Sequence, residues 1–164
     1  MRQRYLIALG SNKRHHRHGA PGRVLDAALA ALERAGVRVE AAAPPMQSPP
    51  LGPSKRRYAN SAAVIESDLA PEELLRLLKQ IEQDFGRRSG GQRWSSRVLD
   101  LDIVLWSGGA WSSPDLTIPH QQFRRRDFVL GPARQIARDW RDPITGLSLN
   151  HLYTRLTRPL MFPS

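Results

Sequence analysis

The apolar residues of this chain recur with two alternating periods, near two and near 3.6, and that alternation restricts the fold more than any other property of the sequence. Residues 5–9 are a short apolar run closed by Gly10-Ser11-Asn12, as expected of a strand. Val24, Leu25, Ala28, Leu29 and Leu32 make one helical stripe, and Gly36 is placed to end that helix at its C′ position. Residues 37–43 read as extended, with Pro44-Pro45 ending or interrupting them. Over residues 58–67, Tyr58, Asn60, Ala62 and Val64 alternate with Ala59, Ser61, Ala63 and Ile65, which gives a strand with two faces. Pro71 suits the first turn of a second helix, and Glu72 and Glu73 complement its N-terminal dipole. That helix is predicted to run to about Phe85, with Gly86 as its stop. A strand over residues 97–106, a turn at Ser107-Gly108-Gly109 and a helical C-terminal portion from about His120 complete the chain. Strand, helix, strand, strand, helix, strand is the βαββαβ order of the ferredoxin-like α+β fold, with a largely antiparallel sheet, packed helices and here a helical C-terminal extension. No repeat or domain-sized linker interrupts it, so residues 1–164 are expected to form a single domain.

Composition narrows the chemistry. The sequence has no cysteine, which removes disulfides, thiolate metal ligands and thiol catalysis. No apolar run approaches the roughly 18 residues of a membrane span, and the short apolar stretch after the basic N-terminus does not read as a signal peptide. A cytoplasmic protein with no membrane partner is expected. The formal net charge of +10 points to an anionic partner without saying which one.

The strongest chemical signal lies in Arg97-Val98-Leu99-Asp100-Leu101-Asp102-Ile103-Val104-Leu105-Trp106. Strict alternation would put Val98, Asp100, Asp102 and Val104 on one face and Leu99, Leu101, Ile103 and Leu105 on the other. The two carboxylates would then sit about 6.6 Å apart at Cα, close enough to repel unless a cation lies between them. Oxygen-only ligation of this kind suits Mg²⁺, which takes one or two carboxylates and completes its shell with water and phosphate. Taken alone, the pair reads more readily as surface charge on a solvated strand. Its neighbourhood weighs against that. Arg87, Arg88, Arg93 and Arg97 stand just before it, interleaved with Ser89-Gly90-Gly91 and Trp94, and guanidinium forks bind phosphate oxygens in a loop that glycines leave free to move. Glu82 shares the apolar row of Leu75 and Leu78, where it either edges the stripe or faces a site, and periodicity alone favours the edge. Ser48-Pro49-Pro50-Leu51-Gly52-Pro53 is a stiff loop whose shape is set before any ligand arrives. Of Arg124, Arg125 and Arg126, at most one or two can share a site. His15, His16 and His18 are surrounded by Lys13, Arg14 and Arg17, a setting that opposes cation binding.

Gly10-Ser11-Asn12, Ser48-Pro49-Pro50-Leu51-Gly52-Pro53, Tyr58-Ala59-Asn60, the 97–102 run, and Ile118-Pro119-His120 with Arg126-Asp127-Phe128-Val129-Leu130 together resemble the 6-hydroxymethyl-7,8-dihydropterin pyrophosphokinase family, along nearly the whole chain. The resemblance implies a ferredoxin-like fold and transfer of the β,γ-pyrophosphoryl group of ATP to the pterin hydroxymethyl, with release of AMP and use of two Mg²⁺ ions. It implies that Asp100 and Asp102 hold both metals, and that Arg87 and Arg97 act with them in catalysis. Glu82, Arg87, Trp94, Arg97, Ile103, His120 and Arg126 would bind ATP, which reverses the edge reading of Glu82. Tyr58 and Phe128 would sandwich the pterin ring, and Asn60 with Ser48, Pro49 and Leu51 would meet its polar edge. ATP and the pterin are the implied partners of a monomer that binds no nucleic acid. The chain departs from many members at Lys79, at Gln121 and between Arg87 and Arg93. An RNA-binding module would account for the charge but not for the carboxylates. A Mg²⁺ nuclease or nucleotidyltransferase would use the carboxylates but gives no reason for the segment from Ser48 to Asn60.

Overall fold

The computed structural model describes residues 2–11, 19–48, 58–87 and 98–158, and at positions 47, 48, 58 and 87 the backbone alone. In chain order the elements are β1 (Gln3–Ser11), α1 (Pro21–Arg34), β2 (Arg38–Ala42), β3 (Met46–Ser48), β4 (Tyr58–Ser67), α2 (Pro71–Arg87), β5 (Asp100–Trp106), β6 (Trp111–Ser113), β7 (Leu116–Ile118), a 3₁₀ turn (Phe123–Arg125), α3 (Asp127–Ala137) and α4 (Leu149–Thr157). The main sheet has the order β2-β4-β1-β5, and β3 also pairs with β4. Every pairing between these strands is antiparallel. Pro44-Pro45 therefore interrupts one long partner of β4 instead of ending it, because a prolyl nitrogen cannot donate to the ladder.

Most predicted elements form for the reasons the sequence suggests. Pro21 occupies the first turn of α1. At its other end Gly36 takes φ +89°, the left-handed conformation a glycine adopts without strain. There the Val37 N–H donates to Leu32 O and the Gly36 N–H to Glu33 O, each at 3.0 Å, the paired bonds of a Schellman cap. The second helix differs from expectation. It continues through Gly86 to Arg87, because glycine costs a helix only about 1 kcal/mol and buried Phe85 anchors the last turn in the core.

Two cores flank the sheet. Tyr5, Ile7, Leu9, Leu101 and Ile103 join α1 and α2 on one face. Leu6, Val64, Val104, Leu105 and Phe123 join α3 and α4 on the other, so the C-terminal extension is a second packing layer. The alternation expected over residues 97–106 holds only in part. Val98 and Leu99 are both buried in the first core, and β5 begins at Asp100. A register shift between Leu6 and Ile7 then pairs Leu6 with Leu105 and Ile7 with Ile103, leaving Val104 as the extra residue. This β-bulge reverses the faces beyond it, so that Val104 and Leu105 both enter the second core. The hairpin β6–β7 stands where the sequence predicts only a turn before the helical C-terminal portion. Its signal was Pro114-Asp115 between short extended runs, a favourable turn pair.

Candidate active site

The polar end of the sheet lies on the α3 side. Register places Asn60, Gly10 and Asp100 in one row across β4, β1 and β5, and Ala62, Ala8 and Asp102 in the next. The central residues of both rows are small. A Cβ built on Gly10 would come to 3.4 Å from the Asn60 Oδ1, so the space above this position is shared with the asparagine side chain. Farther along the same face, Leu6 and Val64 are wholly buried beneath α3 and α4. The face thus passes from packed aliphatic residues to an open floor as side-chain size falls.

A cavity of about 90 Å³ above that floor is lined by Gly10, Asn60, Asp100, Asp102, Arg126 and Phe128, among others. Arg126 is the N-cap residue of α3, and its guanidinium carbon lies 5.7 Å from the centre of the Phe128 ring. One residue before the helix, an extended backbone turns this arginine toward the carboxylates, and Phe128 follows in the first turn. The expectation that few of the three arginines share a site holds. Arg126 lines it, Arg125 is exposed and Arg124 pairs with buried Asp142. None of them lies in a regular helix, because Phe123–Arg125 is a 3₁₀ turn.

The outer edge of β5 is closed from two directions. Glu82 on α2 accepts a hydrogen bond from the Leu101 N–H at 2.7 Å, and the His120 N–H donates to Val104 O at 3.1 Å. Both contacts cover the unpaired side of an edge strand and tie the strand carrying the aspartates to its surroundings. Ile103 lies on the opposite face, 3% exposed in the first core, and its side chain is not brought together with the aspartates.

His120 is half-buried beside this group. Its Nδ1 accepts from the Gln122 N–H at 3.1 Å, and since a backbone amide can only donate, the neutral ring carries its proton on Nε2. Burial lowers the His120 pKa below its ordinary 6.5, the Asp102 charge partly restores it, and the Arg126 charge lowers it further. The imidazole is therefore neutral at pH 7 and presents an N–H donor. A histidine depressed in this way binds its proton less readily folded than unfolded, so its contribution to stability falls as pH drops through 6.5 toward the folded value. Proton NMR should find His120 titrating below 6.5, and lower still in Asp102→Asn, which removes the restoring charge. A value above 6.5 would contradict this electrostatic arrangement.

Among the described residues, no group of three or more histidine, aspartate or glutamate side chains forms a metal cage. Two carboxylates on one floor suit Mg²⁺, which relies on phosphate and water for its remaining ligands, better than they suit a metal bound by protein alone. Pro49, Leu51, Trp94 and Arg97 lie outside the described residues, as do the side chains of Ser48, Tyr58 and Arg87. The loop at residues 49–57, most of the basic loop, and the stretch 12–18 also lie outside them. Sequence reasoning missed Ala8 and Gly10 as the floor. Their signal was two small residues alternating on the face that a strand pairing would share with Asn60 and the aspartates.

The chain is similar to known proteins in both sequence and fold. Residues 6–138 match the family model described as 7,8-dihydro-6-hydroxymethylpterin-pyrophosphokinase (HPPK). The chain is 40% identical over 145 residues to the 2-amino-4-hydroxy-6-hydroxymethyldihydropteridine pyrophosphokinase of Pseudomonas aeruginosa, covering 87% of this chain and 86% of that protein. It is 34% identical over 158 residues to the enzyme of the same name from Synechocystis, covering 96% and 78%. The crystal structure of wild-type Plasmodium falciparum HPPK-DHPS shares the fold with a TM-score of 0.74 at 11% identity, over 94% of this chain and 41% of that longer one. The chain belongs to the 7,8-dihydro-6-hydroxymethylpterin-pyrophosphokinase family.

Proposed function

We propose that the cavity between β5 and the start of α3 is a two-metal centre for pyrophosphoryl transfer. The activity is that of the family. The chain is a pyrophosphokinase of folate biosynthesis that transfers a pyrophosphoryl group to 6-hydroxymethyl-7,8-dihydropterin, with ATP as co-substrate. One observation carries the proposed site, namely that a carboxylate pair, a guanidinium, an amide and an aromatic ring line the same small cavity.

In this reading Asp100 and Asp102 hold two Mg²⁺ ions. When bound, the metals would neutralise the triphosphate and stabilise charge developing on the transferred group and on departing AMP. Arg126 and the Nε2–H of His120 donate to phosphate oxygens, and Arg87, Arg97 and Trp94 complete the ATP side. Glu82 serves ATP binding from α2, where it also braces Leu101. Ile103 contributes the backbone beside the adenine. Phe128 and Tyr58 stack on the pterin, and Asn60 with Ser48, Pro49 and Leu51 hydrogen-bonds its polar edge. The pterin hydroxyl oxygen attacks the β-phosphorus in line, forming the new O–P bond as the bond from that phosphorus to the AMP oxygen breaks. The hydroxyl proton goes to solvent. No covalent nucleophile is required, and alignment of the two substrates supplies much of the rate. The protein works as a cytoplasmic monomer with no nucleic-acid or membrane partner. Among the described residues, no helix is long and apolar enough to cross a membrane.

Chromatography of reactions containing ATP, MgCl₂ and 6-hydroxymethyl-7,8-dihydropterin tests the proposal. AMP formation that requires both the pterin and Mg²⁺ is expected. Absence of AMP from protein with a folded circular-dichroism spectrum would overturn it.

A further inference from the structure

Asp142 lies in the connection between α3 and α4, is 0% exposed, and plays no part in the site described above. Its carboxylate is fully engaged. Arg124 approaches with two prongs, Nε to Oδ2 at 2.6 Å and Nη2 to Oδ1 at 2.9 Å. The Ile144 N–H donates to Oδ1 at 3.0 Å and the Thr145 hydroxyl to Oδ2 at 2.8 Å. Burial pushes the Asp142 carboxyl up, but the Arg124 hydrogen bond, these two donors and the arginine's charge hold it below its ordinary value.

Arg124 sits at the middle of the 3₁₀ turn, four residues after His120 and two before Arg126. Of the three backbone bonds of this turn, that from the Arg125 N–H to Gln122 O is of ordinary length at 3.1 Å, and the two that flank it are long. The Phe123 N–H reaches His120 O at 3.4 Å, and the Arg126 N–H reaches Phe123 O at 3.3 Å. Both lie beyond the ordinary N–H···O range and hold a backbone weakly. The Arg124–Asp142 bridge has better geometry than either. Its anchor is well tied, since the Asp142 N–H donates to Leu147 O at 2.9 Å and the Gly146 N–H to Asp142 O at 2.8 Å. Phe123 adds a buried side chain under the Arg124 guanidinium, whose carbon lies 4.7 Å from the ring centre.

We propose that Arg124 and Asp142 are positioning residues, a partly buried ion pair that fixes the turn between His120 and Arg126 at the cavity and so sets how ATP phosphates are held. This rests on the pyrophosphokinase reading of the site. The two charges neutralise each other, so the pair acts through the backbone it holds. Displacements of about 1 Å in groups that align substrate lower rates by up to about 10²-fold, which makes such an anchor consequential.

The test replaces both partners together, Arg124→Met with Asp142→Asn, because removing Arg124 alone would leave the buried Asp142 charge without its partner. Asparagine carries no charge and keeps an oxygen that accepts from the Ile144 N–H, so the connection between α3 and α4 retains that local bond. The double variant is expected to melt near the parent's temperature while its KM for ATP rises about tenfold or more and its KM for the pterin stays unchanged. Equal melting temperature with an unchanged KM for ATP would overturn the proposal, as would an equal rise in both KM values. Should the double variant not fold, Arg124→Lys decides by the same readout, since it keeps the charge but loses the two-pronged geometry. Parent protein that forms no pterin-dependent AMP would refute the functional reading itself, an outcome separate from an active parent matched by the variant.

Discussion

Replacing Asp102 with alanine is expected to slow pyrophosphoryl transfer by at least about 10²–10³-fold while leaving the fold intact. The magnitude is that of removing one preorganised charge-stabilising group from a transition state that depends almost wholly on positioning and electrostatics. Folding should survive because Asp102 is half-buried on an open floor beside Ala8, and its removal relieves repulsion with Asp100 instead of stranding a buried charge. Steady-state AMP formation gives the rate, and circular dichroism with thermal melting gives the fold. A variant that loses its structure yet keeps its specific activity in the soluble fraction would contradict the metal-binding role.

The second large effect falls on stability. Phe123 is 0% exposed and packs in the second core with Leu6, Val64, Leu105, Leu130 and Leu152. Phe123→Ala leaves a large void that a 3₁₀ turn wedged against a sheet and two helices closes only in part, at a cost of about 3–5 kcal/mol. For a chain of this length that lowers Tm by roughly 10 °C. Differential scanning calorimetry measures it directly. A fall under about 2 °C would mean that the turn repacks freely and that the second core does not depend on this ring.

Legibility from sequence followed the range over which each feature is determined. The two faces of β4 were readable because its alternation runs unbroken and each face meets a different core. The C-terminus of α1 was readable because Gly36 and the bonds from Gly36 to Glu33 and from Val37 to Leu32 are local. Gly86 misled, since whether a glycine ends a helix depends on what the preceding turn buries, and buried Phe85 kept this one going. The bulge at Val104 could not be seen, because register belongs to a pair of strands and Leu6 lies far away in sequence. For the same reason, three adjacent arginines looked alike until Asp142 claimed Arg124 and the start of α3 turned Arg126 toward the carboxylates.

The sequence alone determined the βαββαβ order of the main elements, the carboxylate pair on one strand face and the family resemblance, all of which rest on near-neighbour spacing and residue chemistry. Tertiary structure alone decided three further matters. It made the C-terminal helices a second layer, it opened the floor by setting Gly10 between Asn60 and Asp100 and Ala8 between Ala62 and Asp102, and it formed a partly buried ion pair at the turn that precedes Arg126. Each depends on which distant segments meet, and that is set by the summed burial of apolar faces across the sheet, a quantity no single stretch of the chain contains.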